Sequence, residues 1–111
     1  MKLAQPIYLS GPMSGYENYN HAAFTEACVQ LRELGYEVIS PYEAGEEPGL
    51  TWADYIRKDL PMLARARSVV VLPNWQCSRG SVLEIGIAHA LGITVVPIDV
   101  VLGAALKAVA P

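Results

Sequence analysis

Ser78-Arg79-Gly80-Ser81-Val82-Leu83-Glu84 is the segment of this sequence best equipped for chemistry. A small polar turn there opens a predicted helix that runs Val-Leu-Glu-Ile-Gly-Ile-Ala-His-Ala-Leu over residues 82–91, apolar on nearly every side except at Glu84. Such a segment is expected to lie buried between a sheet and another surface. A carboxylate at the start of a helix meets free backbone N–H groups and the positive end of the macrodipole, which are expected to keep it ionised and aimed. That suits a nucleophile or a stabiliser of a positive centre, and equally a carboxylate that only decorates a helix start. Ser78, Arg79, Gly80 and Ser81 add two hydroxyls, a guanidinium and a flexible backbone. The combination can hold a phosphate or carboxylate, or simply cap the helix.

Asp59 is the second acid out of place. Thr51 is a predicted cap for a helix whose inward stripe is Trp52, Tyr55, Ile56, Asp59 or Leu60, and Leu63, with Asp54, Arg57, Lys58 and Arg65 facing out. Two acids on inward faces of adjacent helices can divide the roles of proton donor and charge-bearing partner when their surroundings push their pKa values apart. The competing expectation is that Asp59 caps or bridges to Arg57, Arg65 or Arg67, with Pro61 kinking the helix beside it. Tyr8 shares a strand face with Ser10, so its hydroxyl can orient a carboxylate or sit satisfied in the core. Trp75, Tyr16 and Tyr19 fall in loops, where their rings can stack on a base or pack a rim. His21 and His89 have no evident partner, and Cys28 and Cys77 lack a metal-ligand spacing, so no metal site is predicted. Two cysteines are also too few for a disulfide framework, which predicts a reducing compartment. The Gly11 to Gly15 turn lacks the dinucleotide fingerprint, and no nucleophile-elbow motif occurs, which argues against a nicotinamide dehydrogenase and a Ser-His-Asp hydrolase.

The elements that must position these groups alternate. Residues 6–10 read as a strand ending in a glycine turn. A helix capped by Asn20 follows, with Phe24, Cys28 or Ala27, Leu31 and Leu34 at helical spacing up to the stop at Gly35. Residues 36–40 form a second predicted strand, and 41–50 a surface loop that can act as a lid. Beyond the Thr51 helix come a continuous apolar strand at 68–72, the Glu84 helix, a strand at 93–98 and a short closing helix at 102–109. This pattern predicts a three-layer flavodoxin- or Rossmann-like α/β sandwich with a mainly parallel sheet in the order 2-1-3-4. In that order strands one and three are neighbours with crossovers on opposite faces, so a crevice opens beyond their carboxyl ends. The glycine turn of residues 10–16 and the loop of residues 73–81 should meet there, with Glu84 beneath them.

Composition narrows the partners. The 111 residues are 52% hydrophobic and only 17% charged, and the net charge is −3. One domain covering residues 1–111 is expected, with self-association as a homodimer or larger oligomer to cover apolar surface. The acidic balance argues against a duplex nucleic-acid clamp and leaves a small metabolite. Neither a signal-peptide core nor a membrane span is visible, so a soluble cytoplasmic protein is expected.

Three blocks, Tyr8-Leu9-Ser10-Gly11-Pro12-Met13, Arg57-Lys58-Asp59-Leu60 and Ser78-Arg79-Gly80-Ser81-Val82-Leu83-Glu84-Ile85-Gly86-x-Ala88, resemble the nucleoside 2-deoxyribosyltransferase-like superfamily, its small uncharacterised branch in particular. The resemblance implies a flavodoxin-like fold and cleavage, by hydrolysis or transfer, of the N-glycosidic bond of a (deoxy)nucleoside or nucleoside 5′-monophosphate, without a cofactor. It makes Glu84 the nucleophile, Asp59 the acid near the departing base and Tyr8 the residue that orients the glutamate. Ser10, Gly11, Pro12, Met13, Trp75, Ser78, Arg79, Gly80 and Ser81 would bind substrate, with Ser78 and Gly80 at the sugar or 5′-phosphate end. Members acting on free nucleosides tend to carry an acid at the position of Ser78, whereas a serine there is closer to the nucleotide hydrolases. The basic residue of those hydrolases' first loop is missing from Pro12-Met13-Ser14, and Arg79 is its candidate replacement. The rival expectations are a module that binds a nucleotide-like metabolite without turnover, and a protein whose apolar surface serves assembly alone.

Overall fold

Side-chain alternation along the first strand, β1 (Ile7–Ser10), sets up the layers of the computed structural model, which describes residues 2–44 and 49–109. Ile7 and Leu9 point to one face of the sheet, where they pack with Phe24, Ala27 and Leu31. Tyr8 points to the other, with Leu63, Ile85 and Ala88, and the strand period of two puts Ser10 on that same face. The third strand, β3 (Ser68–Val71), alternates in the same way, with Val70 facing the first cluster and Val69 and Val71 the second.

Four parallel strands lie in the order β2-β1-β3-β4, where β2 is Val38–Ile39 and β4 is Thr94–Pro97. The predicted α/β architecture and strand order are thus found, and the sheet is parallel throughout. Helices α1 (His21–Glu33) and α4 (Ile98–Val109) supply the first cluster, and α2 (Trp52–Arg65) and α3 (Arg79–Ala90) the second. Because β1 and β3 are neighbours while α1 and α2 lie on opposite faces, the chain parts above their carboxyl ends, where the topology leaves a crevice.

Local chemistry explains the element ends. Thr51 caps α2 with a reciprocal box, its hydroxyl accepting from Asp54 N and the Asp54 carboxylate accepting from Thr51 N. Pro61 lies inside α2, which continues to Arg65 rather than ending at the proline. Asn20 occupies the N-cap position of α1 in a left-handed conformation, and its side chain donates to Pro12 O instead of capping the helix. The second strand is shorter than predicted. The last helix starts at Ile98, directly after Pro97, which places Asp99 in its first turn. Part of the predicted 41–50 loop is a single turn at Pro41–Ala44, and residues 45–48 lie outside the described ones.

Helix α3 is buried along one line, Ser81, Glu84, Ile85 and Ala88, which is its sheet-facing side. Val82 and Leu83 on the other side are exposed, as is Leu91 just after the helix. Expected to be covered on both sides, α3 is covered in this chain on one. A sheet can bury only one stripe of a helix, and the remaining stripe needs another element or another molecule. Among the described residues, no helix is long and apolar enough to cross a membrane.

Candidate active site

The crevice is a cavity of about 910 Å³ above the carboxyl ends of β1 and β3, within the usual range for small-molecule sites. Leu72 N donates to Ser10 O at 2.9 Å, holding the two exit loops together. Gly11 makes that approach possible, since a Cβ on it would lie 2.8 Å from the Leu72 Cβ. From these loops come Gly11, Pro12 and Met13 on one side and Ser78, Arg79 and Gly80 on the other, all lining the cavity as the sequence predicts. Ser10, Ser81, Glu84 and Asp59 line it too.

Glu84 is 5% exposed. The Tyr8 hydroxyl donates to its Oε2, and Ser10 Oγ lies 2.9 Å from its Oε1, so each carboxyl oxygen has its own hydroxyl. Ser10 Oγ is also 3.0 Å from Ser81 Oγ. Burial raises the Glu84 pKa to about 7; the Tyr8 and Ser10 hydroxyls pull it down, and the Asp59 charge pushes it further up. The carboxyl expected to be held ionised is therefore held near the balance between its charged and neutral forms at neutral pH. Glu84 sits in the second turn of α3, where hydroxyls rather than free backbone N–H groups meet its carboxyl. The Tyr8 phenol is itself pushed well above its ordinary range, first by burial and then by the Glu84 charge.

Asp59 is partly buried on α2, and its pKa is raised to about 6 by burial against a small opposing effect of Lys58. Among the described residues, ion pairs join Arg32 to Glu43 and Arg57 to Asp54, and Asp59 takes part in neither. The arginine bridge expected as its alternative role is absent there. Both acids are raised, each chiefly by burial, so their surroundings do not push them far apart, the condition on which the sequence reading made a division of roles depend.

Ser78 caps α3, its Oγ accepting from Ser81 N at 3.2 Å. Arg79 stacks on the Trp52 ring, its guanidinium carbon 3.7 Å from the ring centroid. The Trp75 expectation is corrected: this ring packs against the Tyr8 and Leu63 cluster and is not among the described residues lining the cavity. Trp52 and Tyr55 line the cavity instead, alongside the predicted Tyr16 and Tyr19. The signal for Trp52 was in its own stripe. Trp52, Ile56, Asp59 and Leu63 share one helical face; its carboxyl-terminal end, Leu63, enters the core, and its amino-terminal end overhangs the cavity. Cys77, exposed on the rim, was missed as a lining residue. His21 packs edge-on against Tyr42 and His89 is exposed, both away from the cavity lining.

Residues 5–97 match the family described as Domain of unknown function (DUF4406). The chain belongs to the DUF4406 family. The matched region of this DUF4406 protein contains Tyr8, Asp59 and Glu84 and all four strands. Among solved structures, the fold is similar to that of a 2-deoxyribosyltransferase from the psychrotolerant bacterium Bacillus psychrosaccharolyticus, characterised as a biocatalyst for the synthesis of antiviral and antitumoral nucleosides. The two share 26% sequence identity with a TM-score of 0.63, over 82% of this chain and 69% of that one. No curated protein matches the chain at a significant level.

Proposed function

We propose that this DUF4406 protein cleaves the N-glycosidic bond of a (deoxy)nucleoside or nucleoside 5′-monophosphate, with Glu84 as nucleophile. The observation that carries the reading is a buried carboxyl held at both oxygens by Tyr8 and Ser10, in a cavity shared with an acid, Asp59, that has no ion-pair partner among the described residues. Similarity to a 2-deoxyribosyltransferase supports it.

The pair holds one proton, which rests mainly on Glu84, whose pKa of about 7 exceeds the value of about 6 for Asp59; the productive form is the less populated arrangement, with the proton on Asp59 and the charge on Glu84. A Glu84 oxygen attacks C1′ of the sugar as the C1′–N bond breaks; that bond's electrons go to the base nitrogen, and Asp59 delivers its proton to the departing base. Asp59, now ionised, then removes a proton from water or from an incoming base, which attacks C1′ and returns the electron pair to Glu84. Tyr8 and Ser10 spread the charge on the free carboxylate at both ends of the cycle. Arg79, in no ion pair among the described residues, is the cation available to a 5′-phosphate, and Trp52 with Tyr55 supplies flat surface for the base.

The reading includes a place in the small branch of the deoxyribosyltransferase-like superfamily and a single catalytic unit over residues 1–111. It also includes a reducing cytoplasmic setting and self-association through the exposed side of α3. Incubation with a panel of nucleosides and 5′-monophosphates, with free base followed by chromatography, tests it. Base release is expected from the wild type and not from Glu84→Ala. Saturable binding without release in the wild type would replace it with the ligand-binding reading.

A further inference from the structure

Ser10 has one hydroxyl proton and two neighbours able to accept it. Its Oγ lies 2.9 Å from Glu84 Oε1 and 3.0 Å from Ser81 Oγ, and both serines, only 1% exposed, line the cavity beside Glu84. A serine hydroxyl donates one hydrogen bond, and therefore Ser10 serves only one of these contacts at a time while the Ser81 proton serves the other.

We propose that Ser10 and Ser81 form a two-position hydroxyl switch that follows the state of Glu84, a positioning role that rests on the glycosyl-transfer reading above. In the free protein Ser81 donates to Ser10, and Ser10 donates to Glu84 Oε1. Tyr8, fully buried and outside the cavity lining, holds Oε2, so Oε1 is the oxygen on the cavity side, next to Ser10 and Ser81. When Oε1 bonds to C1′ and the C1′–N electrons leave with the base, that oxygen loses its charge and most of its accepting power. Ser10 then turns to Ser81 Oγ, and the Ser81 proton turns away from Ser10 toward the cavity that Ser81 lines, so that the buried Ser10 hydroxyl is not stranded when the intermediate forms. Tyr8 stays on Oε2, which becomes the carbonyl oxygen of the ester. Return of the electron pair to Glu84 on deglycosylation draws Ser10 back.

The two serines therefore have separable effects. Ser10→Ala removes a donor from the free carboxylate, so the Glu84 pKa rises further. Ser81→Ala leaves that donor in place, removes the hydrogen bond that Ser10 receives in the free protein, and removes the acceptor that Ser10 needs in the intermediate. A stranded buried hydroxyl corresponds to roughly a tenfold loss in the step that creates it. A role confined to packing would make the two variants alike.

The experiment combines a carbon-13 NMR titration of the Glu84 carboxyl with the rate of the first turnover of base release, in wild type, Ser10→Ala and Ser81→Ala. Expected are an upward shift of the Glu84 titration in Ser10→Ala and a much smaller one in Ser81→Ala, whose first turnover is nonetheless about tenfold slower. If Ser81→Ala does not fold, Ser81→Cys replaces it, since a thiol is a weak acceptor and the same direction is expected. Equal shifts in both variants, or a first turnover unaffected in Ser81→Ala, overturn the switch alone. Absence of base release by the wild type across the panel overturns the functional reading, and the switch with it.

Discussion

Tyr8 and Glu84 lie 76 positions apart in the sequence and meet between the sheet and α3, the phenol on β1 donating to a carboxyl oxygen on α3. Strand parity turns Tyr8 toward the helix layer, and the buried line of α3 turns Glu84 toward the sheet. A carboxyl in this position is desolvated yet still served by hydroxyls, which leaves it close to the balance between charged and neutral forms at neutral pH.

That balance predicts a narrow pH profile. Asp59 and Glu84 titrate near 6 and 7 as a coupled pair, so the one-proton form peaks between those values. Below the lower value both are neutral and Glu84 cannot attack; above the upper both are charged and the base finds no proton. The kcat/KM for base release should follow a bell with its maximum between pH 6 and 7. A plateau extending to pH 9 would contradict the assignment of both groups.

Stability should respond in a defined direction. Glu84 has a folded-state pKa of about 7 against an ordinary 4.5, so the folded protein holds this proton more tightly than the unfolded chain. The associated stability is complete below pH 4.5, is lost as pH rises to about 7, and is flat above that. Glu84→Gln removes the titration. It should be more stable than wild type at pH 8, by an upper figure on the order of 3 kcal/mol, with the gain absent at pH 4. Thermal unfolding at the two pH values measures it.

Arg79 should separate nucleotides from nucleosides. A charge-assisted hydrogen bond contributes about 1.5–3 kcal/mol, so Arg79→Ala is expected to raise KM for a 5′-monophosphate roughly tenfold or more while changing KM for the matching nucleoside little. Trp52→Ala, which removes both the ring beneath the guanidinium and surface offered to the base, should raise KM for the nucleotide and the nucleoside alike. Trp75→Phe, away from the cavity lining, should not.

Two glycines should respond oppositely to alanine. At Gly11 the new methyl would lie 2.8 Å from the Leu72 Cβ, so the exit of β1 must shift and a loss of about 1–3 kcal/mol is expected. At Gly86, on the exposed side of α3, nothing lies within 4 Å, and Gly86→Ala should stabilise the helix by up to about 1 kcal/mol. Denaturant unfolding of both variants reads the difference.

Much of this arrangement was legible in the sequence because it depends on periodicity. Alternation along residues 7–10 placed Tyr8 and Ser10 together, and the strand-helix rhythm gave the sheet order and hence the crevice. What depends on three-dimensional surroundings was not legible. Whether Glu84 meets backbone N–H groups or hydroxyls is decided by which turn of α3 faces β1. Whether a stripe residue such as Trp52 lies in the core or over a cavity is decided by how far α2 extends past the sheet. Trp75 was misplaced because a loop aromatic carries no periodic signal for the side it turns to, and it joined the cluster around Leu63.

The nucleophilic role of Glu84 is tested most directly by looking for its covalent bond to sugar. A 2′-deoxy-2′-fluoro nucleoside or its 5′-monophosphate slows departure of the sugar from the enzyme, because the fluorine withdraws electrons from C1′. After acid quenching, peptide mass mapping should find the fluorinated sugar on the peptide containing Glu84 in the wild type, and no such adduct in Glu84→Gln. Release of base at the wild-type rate by Glu84→Gln, or the sugar attached to a different residue, would contradict the assignment.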